Sequence, residues 1–204
     1  MSRRIVLLRH GRTAWNFQRR VQGHVDEPLD EVGHAEARAA ASWVAGFEPC
    51  LLWTSDLVRA RVTAEYAAEV LGLPVHVDGR LREFNLGERA GLTWDEYRGQ
   101  FPEEFAQFRR SDFRLIPGAE QVPDVAKRMC EALNDVAAGL PEGGTALVAS
   151  HGQAIKAAVL AMTGQPVVLN ALGSLPNCSV AVLAETRTAP AGWSLAAFAL
   201  TAPA

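Results

Sequence analysis

Ile5-Val6-Leu7-Leu8-Arg9-His10-Gly11-Arg12-Thr13-Ala14-Trp15-Asn16 is the stretch on which the reading of this chain turns. Four apolar residues in a row have the pattern of a strand buried on both faces. The run ends abruptly in an arginine, a histidine and a glycine, and strand ends of this kind are where α/β folds gather ligands. The second half repeats the arrangement: Thr145-Ala146-Leu147-Val148-Ala149 leads into Ser150-His151-Gly152. Two His-Gly corners at two strand ends predict one shared site.

Working outward, the first run predicts a central parallel strand over 4–8, then a long polar loop to about Asp30. Asp30 should cap a helix over 31–45 that stops near Gly46. A strand is predicted over 49–54 and a helix over 56–71, opened by Asp56 and stopped by Gly72 and Pro74. A short strand over 75–77 follows. Residues 79–91 read as loop, and 94–99 and 103–110 as short helices interrupted by Pro102. The stretch 84–118 is expected to form a lid. A long helix over 122–140, a Gly143-Gly144 turn, the strand over 145–149 and a helix over 153–162 come next. Strands over 179–183 and 193–200, the second after a turn at 190–192, complete the pattern. Strands alternating with amphipathic helices predict an α/β fold, a three-layer α/β/α sandwich with a mostly parallel central sheet. At 204 residues and 49% hydrophobic composition, one domain spanning 1–204 is expected.

Bulk properties exclude several classes. With 20 basic and 23 acidic residues and a net charge of -3, no polyanion-binding surface is indicated, so nucleic acid is not an expected partner. Cys50, Cys130 and Cys178 are far apart, odd in number and lack metal-site spacing, which fits a reducing cytosol. The basic start reaches Arg9-His10 too soon for a secretory leader, and no apolar stretch reaches the roughly 18 residues needed to cross a bilayer. A soluble cytoplasmic protein without a membrane partner is the expectation.

Two imidazoles framed by arginines make a poor cation site, so no metal is expected. They make a good anion site. Phosphoryl transfer needs positive donors around the phosphoryl oxygens, an in-line nucleophile and a proton source for the leaving oxygen. An imidazole can serve as that nucleophile. Arg59 lies in the first turn of the helix over 56–71, and arginine forks clamp phosphate better than lysines do. Glu83, in a Gly-bounded loop after the strand over 75–77, is the candidate acid. Burial against Phe84 would favour its protonated form and the nearby arginines its ionised form, and the alternative role is a surface partner for Arg80 or Arg82. Either histidine could instead be a hydrogen-bonded structural residue, but the place of His10 between Arg9 and Gly11 after an apolar strand favours exposure to a ligand, and the matching position of His151 favours the same.

The constellation resembles the histidine phosphatase superfamily, phosphoglycerate-mutase-like branch. Four segments match in order: LLRHGRTAWN at 7–16, SDLVRARVTA at 55–64, LREFNLG at 81–87 and SHG at 150–152. The resemblance implies His10 as nucleophile, Arg9 and Arg59 as phosphate clamps, Glu83 as proton donor and a protonated His151 as second histidine. It further implies Asn16 and the backbone near Gly11 and Gln153 as parts of the phosphate pocket, Gln22 as a rim contact, and Thr13 as organiser of the His10 loop. Two departures stand out: Arg12 replaces the usual acidic or amide residue, and Arg89-Ala90-Gly91 replaces Trp-Glu-Gly. A basic rim of Arg12, Arg19, Arg20, His24, Arg109, Arg110 and Arg114 would favour a second carboxylate or phosphate on the substrate, the alternative for each being a solvated surface charge.

The implied reaction is hydrolysis of a small phosphorylated metabolite through phosphohistidine, with no metal or other cofactor. Within the family the chain resembles the glucosyl-3-phosphoglycerate phosphatases and the broad-specificity phosphatases. Only 67 residues separate Glu83 from His151, which favours a phosphatase over the generally longer cofactor-dependent phosphoglycerate mutases, the alternative reading. A noncatalytic phospho-ligand binder is a further alternative, and a homodimer is the assembly considered.

Overall fold

The computed structural model describes residues 2–189 and 191–203. Six strands form one sheet: β1 (Arg4–Arg9), β2 (Leu51–Thr54), β3 (Val75–Val77), β4 (Thr145–Ser150), β5 (Val180–Glu185) and β6 (Trp193–Leu200). Their spatial order is β3-β2-β4-β1-β5-β6. The first four are parallel to one another, while β5 pairs antiparallel with β1 and β6 with β5.

The apolar run works by alternation. Ile5 and Leu7 face one layer, with helices α6 (Val122–Ala138) and α7 (Gly152–Met162). Val6 and Leu8 face the other, with α2 (Glu31–Val44) and α3 (Val58–Leu71). Successive side chains of a strand point to opposite faces, so an uninterrupted apolar run supplies both cores. The expected three-layer α/β/α architecture with a mostly parallel sheet is what forms. Three more helices precede or interrupt these layers: α1 (Ala14–Phe17), inside the expected loop, and α4 (Trp94–Gln100) and α5 (Pro102–Phe108). Among the described residues no helix is long and apolar enough to cross a membrane.

Several boundaries differ from expectation for physical reasons. Asp56 does not open α3, because its carboxylate is held by the Arg82 guanidinium at 2.6 Å. The α3 start is capped from outside, Asp26 accepting from the Val58 backbone N–H at 2.6 Å. Gly46 does not stop α2, which tightens into a 3-10 turn over Ala45–Phe47 and ends at Glu48 in the left-handed region. Pro102 does not interrupt a helix but opens α5, where its missing N–H is harmless. Of the expected turn at 190–192, Pro190 lies outside the described residues.

Candidate active site

The register places the site. Arg9 on β1 stands opposite Ser150 on β4, and Thr54 on β2 opposite Ala149. His10, His151 and Ser55 are therefore the first residues past the carboxyl ends of three adjacent parallel strands, where a crevice opens in such sheets. Glycine makes this approach possible at Gly11, since a Cβ there would lie 2.5 Å from the Gly33 carbonyl oxygen.

His10 is 3% exposed and His151 0%, and their ring centres are 5.1 Å apart. His10 Nδ1 lies 2.7 Å from the Gly11 carbonyl oxygen. A carbonyl can only accept, so Nδ1 carries the proton and Nε2 keeps its lone pair. Burial, reinforced by Arg59 and Arg9, holds the His10 pKa well below the ordinary imidazole value. Asn177 Nδ2 donates to the His10 carbonyl at 2.9 Å, and Thr63 Oγ1 accepts from the Gly11 N–H at 3.0 Å. These contacts fix the backbone behind the ring.

Arg59 is 1% exposed. Its guanidinium donates to the Gly23 and Val25 carbonyls, both at 2.8 Å, and its Nε donates to His151 Nδ1 at 3.2 Å. His151 Nδ1 must accept, so its proton sits on Nε2, 3.0 Å from Ser55 Oγ. The expected protonated His151 is thus corrected: both ring nitrogens are committed. Burial, then Arg59 and His10, push its pKa well below the ordinary value. Burial also lowers the Arg59 pKa to about 10, with Glu83 and Asp26 opposing.

Arg9 donates from one terminal nitrogen to the Leu175 carbonyl at 2.6 Å, while its buried Nε has no hydrogen-bond partner among the described residues. Glu83 reaches the amino end of α7. Oε1 accepts from the backbone N–H of Phe84 at 3.0 Å and of Ala154 at 2.9 Å, and Oε2 accepts from that of Gln153 at 3.1 Å. Its alternative role is not seen: Arg80 pairs with Asp78 and Asp135, and Arg82 with Asp56. Arg128 on α6, which sequence reasoning missed, donates to the carbonyls of Arg80, Arg82 and Glu83 and so pins this loop.

A cavity of about 810 Å3 opens over these groups, lined by Arg9, His10, Asn16, Gln22, Arg59, Glu83 and Gln153 among others. Two expected pocket contacts, at Gly11 and the Gln153 backbone, are placed differently, and Thr13 keeps to the loop. Thr13 is buried and shares a capping box with Asn16, so its hydroxyl is committed to the α1 start and not to a ligand. Gly11 has both backbone groups engaged, by Thr63 and by His10, and does not line the cavity. The Gln153 backbone N–H serves Glu83, leaving its side chain, with an unpartnered buried Oε1, at the cavity. The basic rim is also smaller than expected. Arg19, Arg20 and Arg109 line the cavity, but Arg12, His24, Arg110 and Arg114 do not. Arg12 is drawn off by Asp30 at 2.9 Å, His24 sits on the Glu83 carbonyl at 2.7 Å and Arg114 pairs with Asp112. Arg98 and Lys156, not anticipated, do line it.

The far wall comes from 84–118, through Phe84, Trp94, Phe105, Phe108 and Phe113. This segment is tied down by the buried Arg89–Glu104 pair at 2.7 Å, with the Arg89 guanidinium 3.8 Å over the Phe101 ring. The Arg89 departure noted in the sequence therefore anchors the wall. Among the described residues no three His, Cys, Asp or Glu side chains group as a metal site.

A buried histidine pair, the buried Arg59, the half-buried Arg9 and a carboxylate at the ends of parallel strands define a phosphoryl-transfer site of the histidine phosphatase type. The family model for the histidine phosphatase superfamily (branch 1) matches residues 5–199, and the chain belongs to that family. It is an enzyme, a phosphatase working through the His10 and His151 pair on a small phosphorylated metabolite. Over 186 residues it is 37% identical to the glucosyl-3-phosphoglycerate phosphatase of Mycobacterium tuberculosis, covering 87% of this chain and 83% of that protein. It is 36% identical over 171 residues to a 2,3-bisphosphoglycerate-dependent phosphoglycerate mutase of Brucella anthropi, covering 80% of this chain and 83% of that one. The structure of mycobacterial glucosyl-3-phosphoglycerate phosphatase in complex with VO3 superposes with a TM-score of 0.88 at 35% identity, covering 96% of this chain and 98% of that chain.

Proposed function

We propose that the phosphatase takes a phosphoglycerate derivative or a sugar phosphate and hydrolyses it by a ping-pong route without a metal or other cofactor. The observation that carries this reading is the His10 tautomer: with Nδ1 committed to the Gly11 carbonyl, Nε2 is left as a lone-pair nucleophile under the influence of the buried Arg59 and the half-buried Arg9. Its lone pair attacks phosphorus and the bond to the ester oxygen breaks. Glu83 gives that oxygen its proton. Arg9, through its free Nε, Arg59 and Asn16 gather the phosphoryl oxygens. Water then attacks phosphorus, the bond to Nε2 breaks, and Glu83 takes the proton of the attacking water. His151 acts from behind, orienting Arg59 as a neutral acceptor. Gln22 and Gln153 meet the organic part of the substrate.

The segment 84–118 serves as the cover of the site, within one domain spanning 1–204. The enzyme works in the cytoplasm on a diffusible metabolite, with neither nucleic acid nor membrane as a partner. A homodimer is the assembly we assign.

Mutase chemistry is the second reading, favoured by the likeness to the Brucella anthropi mutase. It requires the phosphoenzyme to pass its phosphoryl group to a second hydroxyl and not to water. The test is phosphate release, with EDTA present, from glucosyl-3-phosphoglycerate, 3-phosphoglycerate, α-ribazole phosphate, sugar phosphates and an aryl phosphate. Release that persists in EDTA and is lost in His10→Ala supports the reading. No release from any compound, with isomerisation of 3-phosphoglycerate instead, overturns it in favour of the mutase.

A further inference from the structure

We propose that Lys156 recognises a second anionic group, a carboxylate or a further phosphate, on the organic part of the phosphomonoester, and so sets substrate choice. This rests on the phosphatase reading above. Lys156 follows Gln153 by three residues on α7, which puts both on the same helix face. Both line the cavity. Lys156 is only 6% exposed, yet no hydrogen bond or ion pair among the described residues holds its ammonium. The aliphatic stem is packed away while the ammonium, which is not one of the enclosed unpartnered polar atoms, opens on the cavity, and an anionic ligand there gives it the acceptor that the described residues do not.

Glu83 acts on Lys156 only through space, with no hydrogen bond or ion pair between them, and its two oxygens are turned to three backbone N–H groups. The other charge felt by Lys156 is the Arg109 guanidinium, at the end of α5, which lines the same cavity. Burial and Arg109 both push the lysine pKa down, with Glu83 opposing. Two cations from different elements thus share one cavity, and an anion between them relieves their repulsion. The end of α5 is held in place: Asn170 Nδ2 donates to the Arg109 carbonyl, and Ser111 Oγ accepts from the Leu169 N–H at 2.9 Å. The Trp94, Phe105 and Phe108 rings line the remaining space, giving the carbon skeleton an apolar wall.

The test compares kcat/KM for the wild type, Lys156→Met, Lys156→Arg and Arg109→Ala. Substrates are p-nitrophenyl phosphate and glycerol 3-phosphate, which carry no second anion, 3-phosphoglycerate, which adds a carboxylate, and fructose 1,6-bisphosphate, which adds a phosphate. The proposal predicts that the preference for a doubly anionic substrate over p-nitrophenyl phosphate falls roughly 10- to 100-fold in Lys156→Met, mainly through KM. Lys156→Arg should restore most of it, and which substrate shows the effect separates carboxylate from phosphate. Arg109 is exposed, so Arg109→Ala folds even where Lys156→Met does not, and it should lower the same preference by about threefold or more. A preference unchanged in the variants, whether all substrates fall together or none does, overturns the assignment of Lys156. Absence of hydrolysis of every substrate by the wild type overturns the phosphatase reading itself, and the subsite with it.

Discussion

Lowering the pH from 7 to 5 should destabilise this protein through its two site histidines, by an amount that the ordinary imidazole pKa bounds. Both rings are buried and neutral, with pKa values held well below 6.5. In the unfolded chain each regains an ordinary value near 6.5. As the pH falls below about 7 the unfolded chain therefore binds protons that the folded protein refuses, and stability is lost. For a ring that stays neutral in the fold down to pH 5, the loss is about 2 kcal/mol, so the pair accounts for about 4 kcal/mol. That is a large part of a typical total of about 5–15 kcal/mol. The window lies above the range in which ordinary carboxylates titrate, and His24, lowered by burial, adds in the same sense. Urea denaturation at pH 7 and pH 5 in phosphate-free buffer, on the wild type, His10→Asn and His151→Asn, isolates each ring. Each substitution should remove about 2 kcal/mol of the pH-dependent loss, whatever it does at pH 7. A loss that is the same in wild type and variants would refute the neutral, buried histidine pair.

Other consequences can be checked in the same way. Arg59→Lys keeps a charge but loses the fork that spans Gly23, Val25 and His151, so kcat/KM should fall roughly 100-fold in steady-state assays, and a change under threefold contradicts the clamp. Ser55→Ala leaves the buried His151 Nε2–H without its acceptor and should lower unfolding free energy by about 1–3 kcal/mol, read from denaturation midpoints. Glu104→Gln breaks a buried ion pair and should cost about 3–5 kcal/mol, with limited proteolysis cutting first within 94–118. Cleavage spread evenly over the chain would argue against Arg89–Glu104 as the anchor of the cavity wall.

Much of the fold was legible because its central strands are simple. The runs at 5–8 and 145–149 are apolar on both faces and end in the residues that do the chemistry, so strand, layer and site could be read together. Boundaries were lost where a distant residue decided them: Asp56 is claimed by Arg82, and α3 takes its cap from Asp26. The principal residues His10, Arg9, Arg59 and Glu83 are brought to one cavity, with His151 directly behind. Backbone commitments were not legible. Nothing local shows that Glu83 uses the Gln153 N–H, that Thr13 is absorbed by Asn16, or that Asp30 draws Arg12 away. Lys156 was overlooked although a signal existed, since a lone lysine in the otherwise apolar stretch Ala154-Ile155-Lys156-Ala157-Ala158-Val159 has little reason to face solvent there. Arg128 carried no such signal, because charged residues are ordinary on the outer face of a helix like α6.

The most direct test is to trap the covalent intermediate. The protein is mixed with a phosphomonoester, quenched within milliseconds under conditions that preserve phosphoramidates, digested and analysed by mass spectrometry. The account predicts phosphate on the peptide bearing His10, attached at Nε2, and none in His10→Ala. Turnover with no phosphorylated peptide, or phosphate on His151 or Glu83, would contradict it.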